Sequence, residues 1–263
     1  MFTTTDPKGI EAMSQDEGSM ETMVAKFFRR HQEDPTRFTS YHIFTGAGMN
    51  VGAGSDTTAI SLSATFYYLL KYPRTLRKLR EEIADKQMQG LPPERPTFKE
   101  TSDMPYLQAA IKEALRLHPA TGSPLERVVL EGGGTISGRF FPAGVSLRKV
   151  QWLVNTWVEH RNPNIWGGDT SEFKPERWLT EDHEKLSFMN RHWIPFGVGS
   201  RVCIGKNISL LEMQKLIPRV IRDFDLEIAI PGDKTWSTKN RWFVKPQDFQ
   251  VRVARRKAGK EAL

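Results

Sequence analysis

The chain has 263 residues, a formal net charge of +7 and 38% hydrophobic residues, values that suit one large globular domain with a sizeable core. No apolar run approaches the roughly 18 residues that a transmembrane helix needs, and no interleaving of basic and aromatic residues indicates nucleic-acid binding. The single cysteine excludes an intramolecular disulfide and fits a reducing, cytosol-facing compartment.

The first part of the chain is predicted to be helical after a polar beginning. Residues 1–38 form an acidic and then basic lead-in that contains one short helix near 21–31. The segment 41–71 is predicted to be one long helix, although it contains four glycines. The N-terminus lacks the basic-then-apolar pattern of a signal peptide.

Two further helices follow. Pro73 suits a first helical position and therefore starts the helix 74–86, whereas Pro119 stops a helix over 104–117. Opposite charges four residues apart favour an exposed face on the first of these helices. The pairs are Arg77 with Glu81 and Lys78 with Glu82.

The second part of the chain mixes short strands with loops. Short strands are predicted over 125–160, including a strand at the Asn-x-Trp segment, and a meandering loop region over 162–200. A helix is predicted after Gly205, and strand-like alternation returns around 242–244 and 249–253. The predicted fold class is mainly α with small β-sheets.

The most informative segment is 196–205, which reads FGVGSRVCIG and contains the only cysteine, Cys203. Because a helix begins after Gly205, Cys203 lies at a helix N-terminus, where free N–H groups and the helix dipole favour a thiolate. The glycines of the segment allow a tight turn and close approach to a flat partner. Phe196 can shield the sulfur and Arg201 can reach an anionic group. Together these residues indicate a socket for haem.

The segment FGVGSRVCIG resembles the haem-binding signature of the cytochrome P-450 family, which it matches at Phe196, Gly199, Arg201, Cys203 and Gly205. The resemblance implies that Cys203 is the axial ligand of the haem iron, with the remaining four positions contributing to haem binding. In this family thiolate ligation pushes electron density onto the iron. The alternative is a buried structural cysteine that packs as a small hydrophobic residue.

The segment 53–58, AGSDTT, is similar to the oxygen-activation motif of the same family. The resemblance implies that Thr57 stabilises the oxygen species on the iron and that Asp56 relays protons. Helical spacing places four residues on one face against which a planar ligand could lie. These residues are Ala53, Thr57, Ile60 and Ala64. Glycine and a hydroxyl at one point can also open the helical hydrogen-bond ladder, and the alternative for the motif is an N-cap with a kink.

Two more motifs occur in the order typical of the family. Glu113 and Arg116 lie three residues apart, and PERW at 175–178 supplies Arg177. The resemblance implies a buried structural triad of these three side chains beneath the haem. The alternative for Glu113 and Arg116 is an exposed helical pair that contributes only about 0.2–0.5 kcal/mol.

Arg127 and Arg201 occupy positions that the resemblance assigns to the haem propionates. Guanidinium groups suit this role because they bind carboxylates in a bidentate way. The alternative for Arg127 is a surface charge on a strand edge. The resemblance also implies that residues within 120–124 and 240–243 contact the substrate.

The resemblance spans about 27–253 and covers the C-terminal half of the cytochrome P-450 fold, with greatest similarity to the fungal group that includes pisatin demethylase. We expect 1–263 to be the C-terminal part of one such domain. Its parts are a lead-in at 1–38, a helical core at 39–253 and a basic tail at 254–263. Family members are about twice as long, so the expectation is a truncated chain without a membrane anchor. About half a dozen residues near 146–152 look inserted.

The resemblance implies a haem-thiolate monooxygenase that uses O₂, a small organic substrate and electrons from an NADPH-dependent reductase. For a full-length relative the resemblance implies a cytosol-facing position on the endoplasmic reticulum membrane. Some members rearrange peroxides instead, and the pair of Asp56 and Thr57 argues against that reaction here. The alternatives are a truncated, non-catalytic fragment that binds haem weakly or not at all, and a thiol hydrolase that pairs Cys203 with His192.

Overall fold

The computed structural model describes residues 21–90, 96–124, 129–136, 138–143, 154–229 and 236–256. The chain divides into two compact units, Met1–Asp56 and Thr57–Leu263. Arg127 and the residues that look inserted at 146–152 lie outside the described residues. None of the helices in the described part of the chain combines the length and the apolar character needed to cross a bilayer.

The first unit contains helix α1, Met23–Glu33, and the beginning of helix α2, Ser40–Lys71. The Thr22 hydroxyl caps α1 by accepting a hydrogen bond of 3.2 Å from the Ala25 N–H. The ring of Phe27 lies so close to Gly46 that a Cβ there would come within 3.0 Å of it. A side chain at position 46 would therefore require the Phe27 ring to move by a few tenths of an ångström.

The core of the second unit surrounds helix α5, Pro105–Leu117. Helices α3 (Pro73–Met88) and α9 (Lys206–Asp223) contribute to the same core, as does α2 through Leu69. The short helix α4 (Phe98–Ser102) contacts α9, where the Ser102 hydroxyl donates to the Gln214 side-chain oxygen at 3.4 Å. Buried residues occur on every side of α5, including Leu107, Ile111 and the charged Glu113. A helix buried all round must satisfy its polar side chains internally, because no water reaches them.

Helix α3 departs from the predicted pattern of local ion pairs. The Glu82 carboxylate accepts hydrogen bonds from the backbone N–H groups of Tyr106 and Leu107, at 2.7 and 2.9 Å, and so caps the start of α5. Lys78 pairs with Glu176 at 2.8 Å. The prediction that these two residues pair with each other on an exposed face is therefore wrong, because each has a tertiary partner.

Shorter elements connect α5 to α9. They are α6 (Thr156–Glu159), α7 (Pro163–Trp166), a 3₁₀ helix at Pro175–Leu179, α8 (His183–His192) and a 3₁₀ turn at Gly199–Arg201. The strand predicted at the Asn-x-Trp segment is wrong, because the Asn155 side chain accepts from the Trp157 N–H at 2.9 Å and starts a helical turn. The region predicted as a loop over 162–200 also contains the ten-residue helix α8.

The described strands form three antiparallel pairs. Strands β1 (Gly134–Ile136) and β2 (Arg139–Phe141) pair with each other, as do β4 (Ser237–Arg241) and β5 (Phe243–Gln247). Strand β3 (Phe224–Ile228), which follows α9 directly, pairs with β6 (Val251–Arg255). The predicted class, mainly α with small β-sheets, is confirmed.

Candidate functional site

The cysteine loop is a closed turn that leads directly into α9. The Cys203 N–H donates to the Phe196 carbonyl oxygen at 2.9 Å, which closes the loop across its base. Gly197 and Gly199 both have φ near 73°, a backbone conformation that other residues adopt only with strain. Gly205 is the N-cap of α9, so Cys203 lies two residues before this N-cap and at the N-terminus of the helix, as predicted.

The thiol of Cys203 is exposed. Large apolar side chains beside it are exposed too: Ile204 is 91% accessible and Ile208 is 63% accessible, and Val198 and Val202 also face outward. The reading of Cys203 as a buried structural cysteine is therefore wrong. A single soft sulfur donor within an apolar surface suits a metal that is carried by a large, flat, apolar ligand.

The start of the cysteine loop is fixed to the core through aromatic residues. The Phe196 ring packs against the core and lies edge-on to Trp193, with ring centroids 6.0 Å apart. The Trp193 indole donates to the Lys112 carbonyl oxygen on α5 at 2.9 Å. This anchoring holds the base of the loop while its outer side chains stay in solvent. The predicted shielding of the sulfur by Phe196 remains a prediction.

The structure brings the three charged residues of the expected triad together. The Glu113 carboxylate accepts from Arg116 Nε at 2.9 Å and Nη2 at 2.8 Å, a bidentate pair in which both side chains are fully buried. It also accepts from Arg177 Nε at 3.1 Å and from the Trp178 indole at 2.9 Å. The alternative of an exposed helical pair is therefore wrong, because this carboxylate is buried and fully bonded.

Both arginines of the triad also bind backbone carbonyls of the connecting segments. Arg116 Nη1 donates to the carbonyl oxygens of His160 and Thr170, at 2.8 and 2.7 Å. Arg177 Nη1 donates to the Trp166 carbonyl oxygen at 2.6 Å and to Asp169 Oδ1 at 3.0 Å. Burial acts to raise the pKa of Asp169, but hydrogen bonds from Lys174 and Arg177 outweigh it and lower the pKa to about 2. The triad thus holds the irregular segment between α6 and the 3₁₀ helix in place.

His160 links the triad to the cysteine loop. Its Nδ1–H donates to the Arg116 carbonyl oxygen at 3.1 Å, and its Nε2 accepts from the Ile194 N–H at 2.9 Å, just before the loop. Burial lowers its pKa to about 3, so the ring stays neutral and can accept at Nε2. His160 was not identified from the sequence, because no local spacing indicates a histidine that hydrogen-bonds one distant carbonyl group and one distant amide group.

The oxygen-activation motif lies inside an unbroken helix. Helix α2 continues without interruption from Ser40 to Lys71, so the alternative of an N-cap at this motif is wrong. The opening of the helical hydrogen-bond ladder remains a prediction. Thr57 is half-buried, and its carbonyl oxygen accepts from the Ser61 hydroxyl at 2.9 Å. Of the predicted small-residue face, Ile60 and Ala64 are buried. Ala53 and Asp56, in the other unit, are exposed and half-buried, respectively.

The two segments assigned to substrate contact by resemblance lie together. The Gly122 N–H donates to the Trp242 carbonyl oxygen at 2.9 Å, and Thr121 forms a bridge with Phe243. A Cβ at Gly122 would come within 2.5 Å of the Val244 side chain, so this approach requires glycine. Their contact with a substrate remains a prediction.

Two further predicted residues are Arg201, for a haem propionate, and His192, for a thiol hydrolase. Arg201 is exposed on the 3₁₀ turn of the cysteine loop. His192 bonds Glu159, with Nδ1 and Oε1 2.5 Å apart, and within the described residues no hydrogen bond joins it to Cys203. The geometry therefore gives no support to a thiol hydrolase.

Comparison with known proteins agrees with these motifs. The family model described as Cytochrome P-450 matches residues 10–253. The chain is 50% identical over 209 residues to a pisatin demethylase of Fusarium vanettenii, a match that covers 80% of this chain and 39% of the relative. It is 45% identical over 214 residues to the cytochrome P-450 monooxygenase cicH of Emericella nidulans, covering 81% and 42%.

A third relative extends the match further along the chain. The cytochrome P-450 monooxygenase pkfB of Emericella nidulans is 33% identical over 240 residues, covering 91% of this chain and 45% of the relative. The chain spans about two fifths of the length of these relatives. The predicted resemblance, including that to the pisatin demethylase group, is confirmed, and the chain belongs to the cytochrome P-450 family.

Proposed function

We propose that this chain is the haem-holding part of a monooxygenase, with Cys203 as the axial ligand of the haem iron. The observation that carries the proposal is the exposed thiol on a closed glycine turn at the start of α9. The exposed apolar side chains around it offer the surface that a porphyrin would cover. The named relatives that are monooxygenases support the same activity.

The residues present fit haem. When bound, haem supplies the centre at which O₂ reacts with a small organic substrate, using electrons from an NADPH-dependent reductase. In this chain Cys203 donates the thiolate and the exposed Arg201 pairs with a propionate carboxylate, a role that we also assign to Arg127. Phe196, Gly199 and Gly205 shape the socket.

We assign proton handling to Asp56 and Thr57. A hydroxyl adjacent to a carboxyl group would hold a proton for the chemistry that haem would supply. The triad of Glu113, Arg116 and Arg177 has a structural role, because all its donors and acceptors are used within the protein. For the whole protein we propose a cytosol-facing position at the endoplasmic reticulum. The net charge of +7 suits an acidic electron-donor surface.

The experiment is reconstitution of the expressed chain with haem, followed by reduction and a carbon monoxide difference spectrum. A band typical of thiolate ligation supports the proposal, and the band should disappear in Cys203→Ser. The matched control is Ser200→Ala, which removes a side-chain oxygen from the same exposed turn and should keep the band.

Two outcomes would contradict the proposal. One is retention of the haem spectrum in Cys203→Ser. The other is no thiolate band in the unmodified chain, which would favour the alternative of a non-catalytic chain that binds haem weakly or not at all.

A further inference from the structure

One hydrogen bond between two hydroxyl groups connects α2 to the first turn of α9. The Thr58 hydroxyl donates to the Ser209 hydroxyl at 3.2 Å, joining residues 151 positions apart in the sequence. Thr58 is buried, with 7% of its surface exposed. The Ser209 N–H donates to the Gly205 carbonyl oxygen at 2.9 Å, so Ser209 closes the first turn of α9.

Thr58 differs from the other hydroxyl residues on its side of α2. Ser61 and Thr65 donate to the carbonyl oxygens four residues earlier in the same helix, at 2.9 and 2.8 Å. This local bond is the usual one for a hydroxyl inside a helix. Thr58 instead donates to another helix, so its hydroxyl serves a tertiary contact.

The first turn of α9 begins without a side-chain cap. Its N-cap is Gly205, which has no side chain to accept from the free N–H groups of the turn. Ile208 is largely exposed, and Cys203 before the helix is exposed as well. A helix end with an uncapped start and exposed side chains frays readily unless another element holds it.

We propose that Thr58 and Ser209 form a positioning pair that holds the first turn of α9, and thereby Cys203, at a fixed place relative to α2. The proposal rests on the function proposed above, because Thr58 follows Thr57 directly and Ser209 is in the helix that begins after Cys203. One hydroxyl bond thus connects the helix assigned to proton handling with the helix that follows the thiolate.

The test uses the full chain with three substitutions of the pair. Thr58→Val and Ser209→Ala each remove the hydrogen bond, whereas Thr58→Ser keeps the donor. The control Ser61→Ala removes a hydroxyl that bonds only locally. The first measurement is amide hydrogen exchange over 206–210 without haem. The second is the ratio of thiolate to other carbon monoxide complexes after haem is added.

We expect Thr58→Val and Ser209→Ala to speed exchange in the first turn about 2- to 13-fold, the range for loss of one hydrogen bond. The thiolate ratio should fall by a similar factor, and the double variant should fall no further than either single one. Thr58→Ser and Ser61→Ala should behave like the parent.

The proposal is overturned if the two bond-removing variants match the parent in exchange, or if their effects add. It is also overturned if exchange changes while the thiolate ratio does not, because the pair would then be merely structural. If the unmodified chain gives no thiolate band, the proposed haem function fails instead, and the exchange data alone decide whether the pair holds the turn.

Discussion

The charged cluster around Glu113 and the loop around Cys203 belong to the same unit but differ in burial: the cluster is buried and the loop is exposed. In the cluster the carboxylate is fully buried and accepts from two arginines and an indole. In the loop the thiol is exposed and apolar side chains face solvent. The cluster is complete within the protein, whereas the loop presents a surface that only a bound group would complete.

The residues that stabilise the fold are therefore separate from the residues that are proposed to bind a ligand. Buried charges cost several kcal/mol each unless every partner is present, so the cluster tolerates little change. Exposed residues contribute little to folding, so the loop is free to serve a ligand. His160 connects the two regions, because it hydrogen-bonds the Arg116 carbonyl of the cluster and the Ile194 amide just before the loop.

The largest effect is expected from Glu113→Gln, which leaves Arg116 and the Trp178 indole without a carboxylate and Arg177 with Asp169 alone. We expect the free energy of unfolding to fall by about 3–5 kcal/mol, because breaking a buried charge network leaves uncompensated charges. Urea unfolding at neutral pH measures this value. In the matched control Glu227→Gln, at an exposed pair 4.0 Å from Arg252, the loss should be below about 1 kcal/mol. Equal losses of unfolding free energy in the two variants would show that the buried cluster contributes no more to stability than an exposed ion pair.

The next effect is a pH dependence that arises at His160. Its ordinary pKa of 6.5 applies to the unfolded chain, and burial lowers the folded pKa to about 3. Between these values the unfolded state binds a proton that the folded state does not, so stability falls as the pH drops below 6.5. At pH 5 the loss due to this group is about 2 kcal/mol.

His160→Gln tests this assignment, because a neutral amide can donate to the carbonyl and accept from the amide without titrating. Unfolding free energies measured from pH 7 to pH 5 should decline less steeply in this variant. His183→Gln, at an exposed position on α8, should leave the slope of the parent unchanged. A slope in His160→Gln as steep as that of the parent would mean that other groups cause the acid sensitivity.

A smaller effect is expected at the N-terminus of α5. Glu82→Gln weakens the cap on the Tyr106 and Leu107 N–H groups by removing its charge, and we expect a loss of about 1 kcal/mol. The neighbouring control Glu81→Gln is exposed and should change stability by less than about 0.5 kcal/mol. If both variants unfold at the same urea concentration, the contact between α3 and α5 does not depend on this carboxylate charge.

The smallest effect on folding is expected at the thiol itself. Because Cys203 is exposed, Cys203→Ser should change the unfolding free energy of the haem-free chain by less than about 0.5 kcal/mol. Met213→Ala, at a fully buried position in the same helix α9, should cost about 2–5 kcal/mol. A large loss of unfolding free energy in Cys203→Ser would show that the thiol also stabilises the fold, contrary to the comparison above.

Several elements could be predicted from the sequence for physical reasons. Helix α5 ends at Leu117 because Pro119 follows, and Pro73 begins α3 at a position where its missing N–H costs nothing. Other elements could not. Thr156 and Trp157 favour a strand by residue type, yet the Asn155 cap and the bond from the Trp157 indole to the Pro119 carbonyl produce a helical turn.

The candidate site shows the same division. The glycines and the helix start place Cys203 correctly, because turn and helix signals act over a few residues. The partners of Lys78 and Glu82 were wrong in the prediction, because a charged side chain four residues from another can equally reach a distant element. The roles of His160 and Ser209 depend on partners 34 and 151 residues away and have no local signal.

Residue type and short spacing were sufficient to predict the family, the helices α1, α2, α3, α5 and α9 in their order, and the turn that carries the thiol. The folded structure alone shows that the Trp178 indole also donates to the Glu113 carboxylate and that Cys203 is exposed. Burial and long-range hydrogen bonding arise when distant segments pack, and the free energy of a buried charge depends on all of its partners at once.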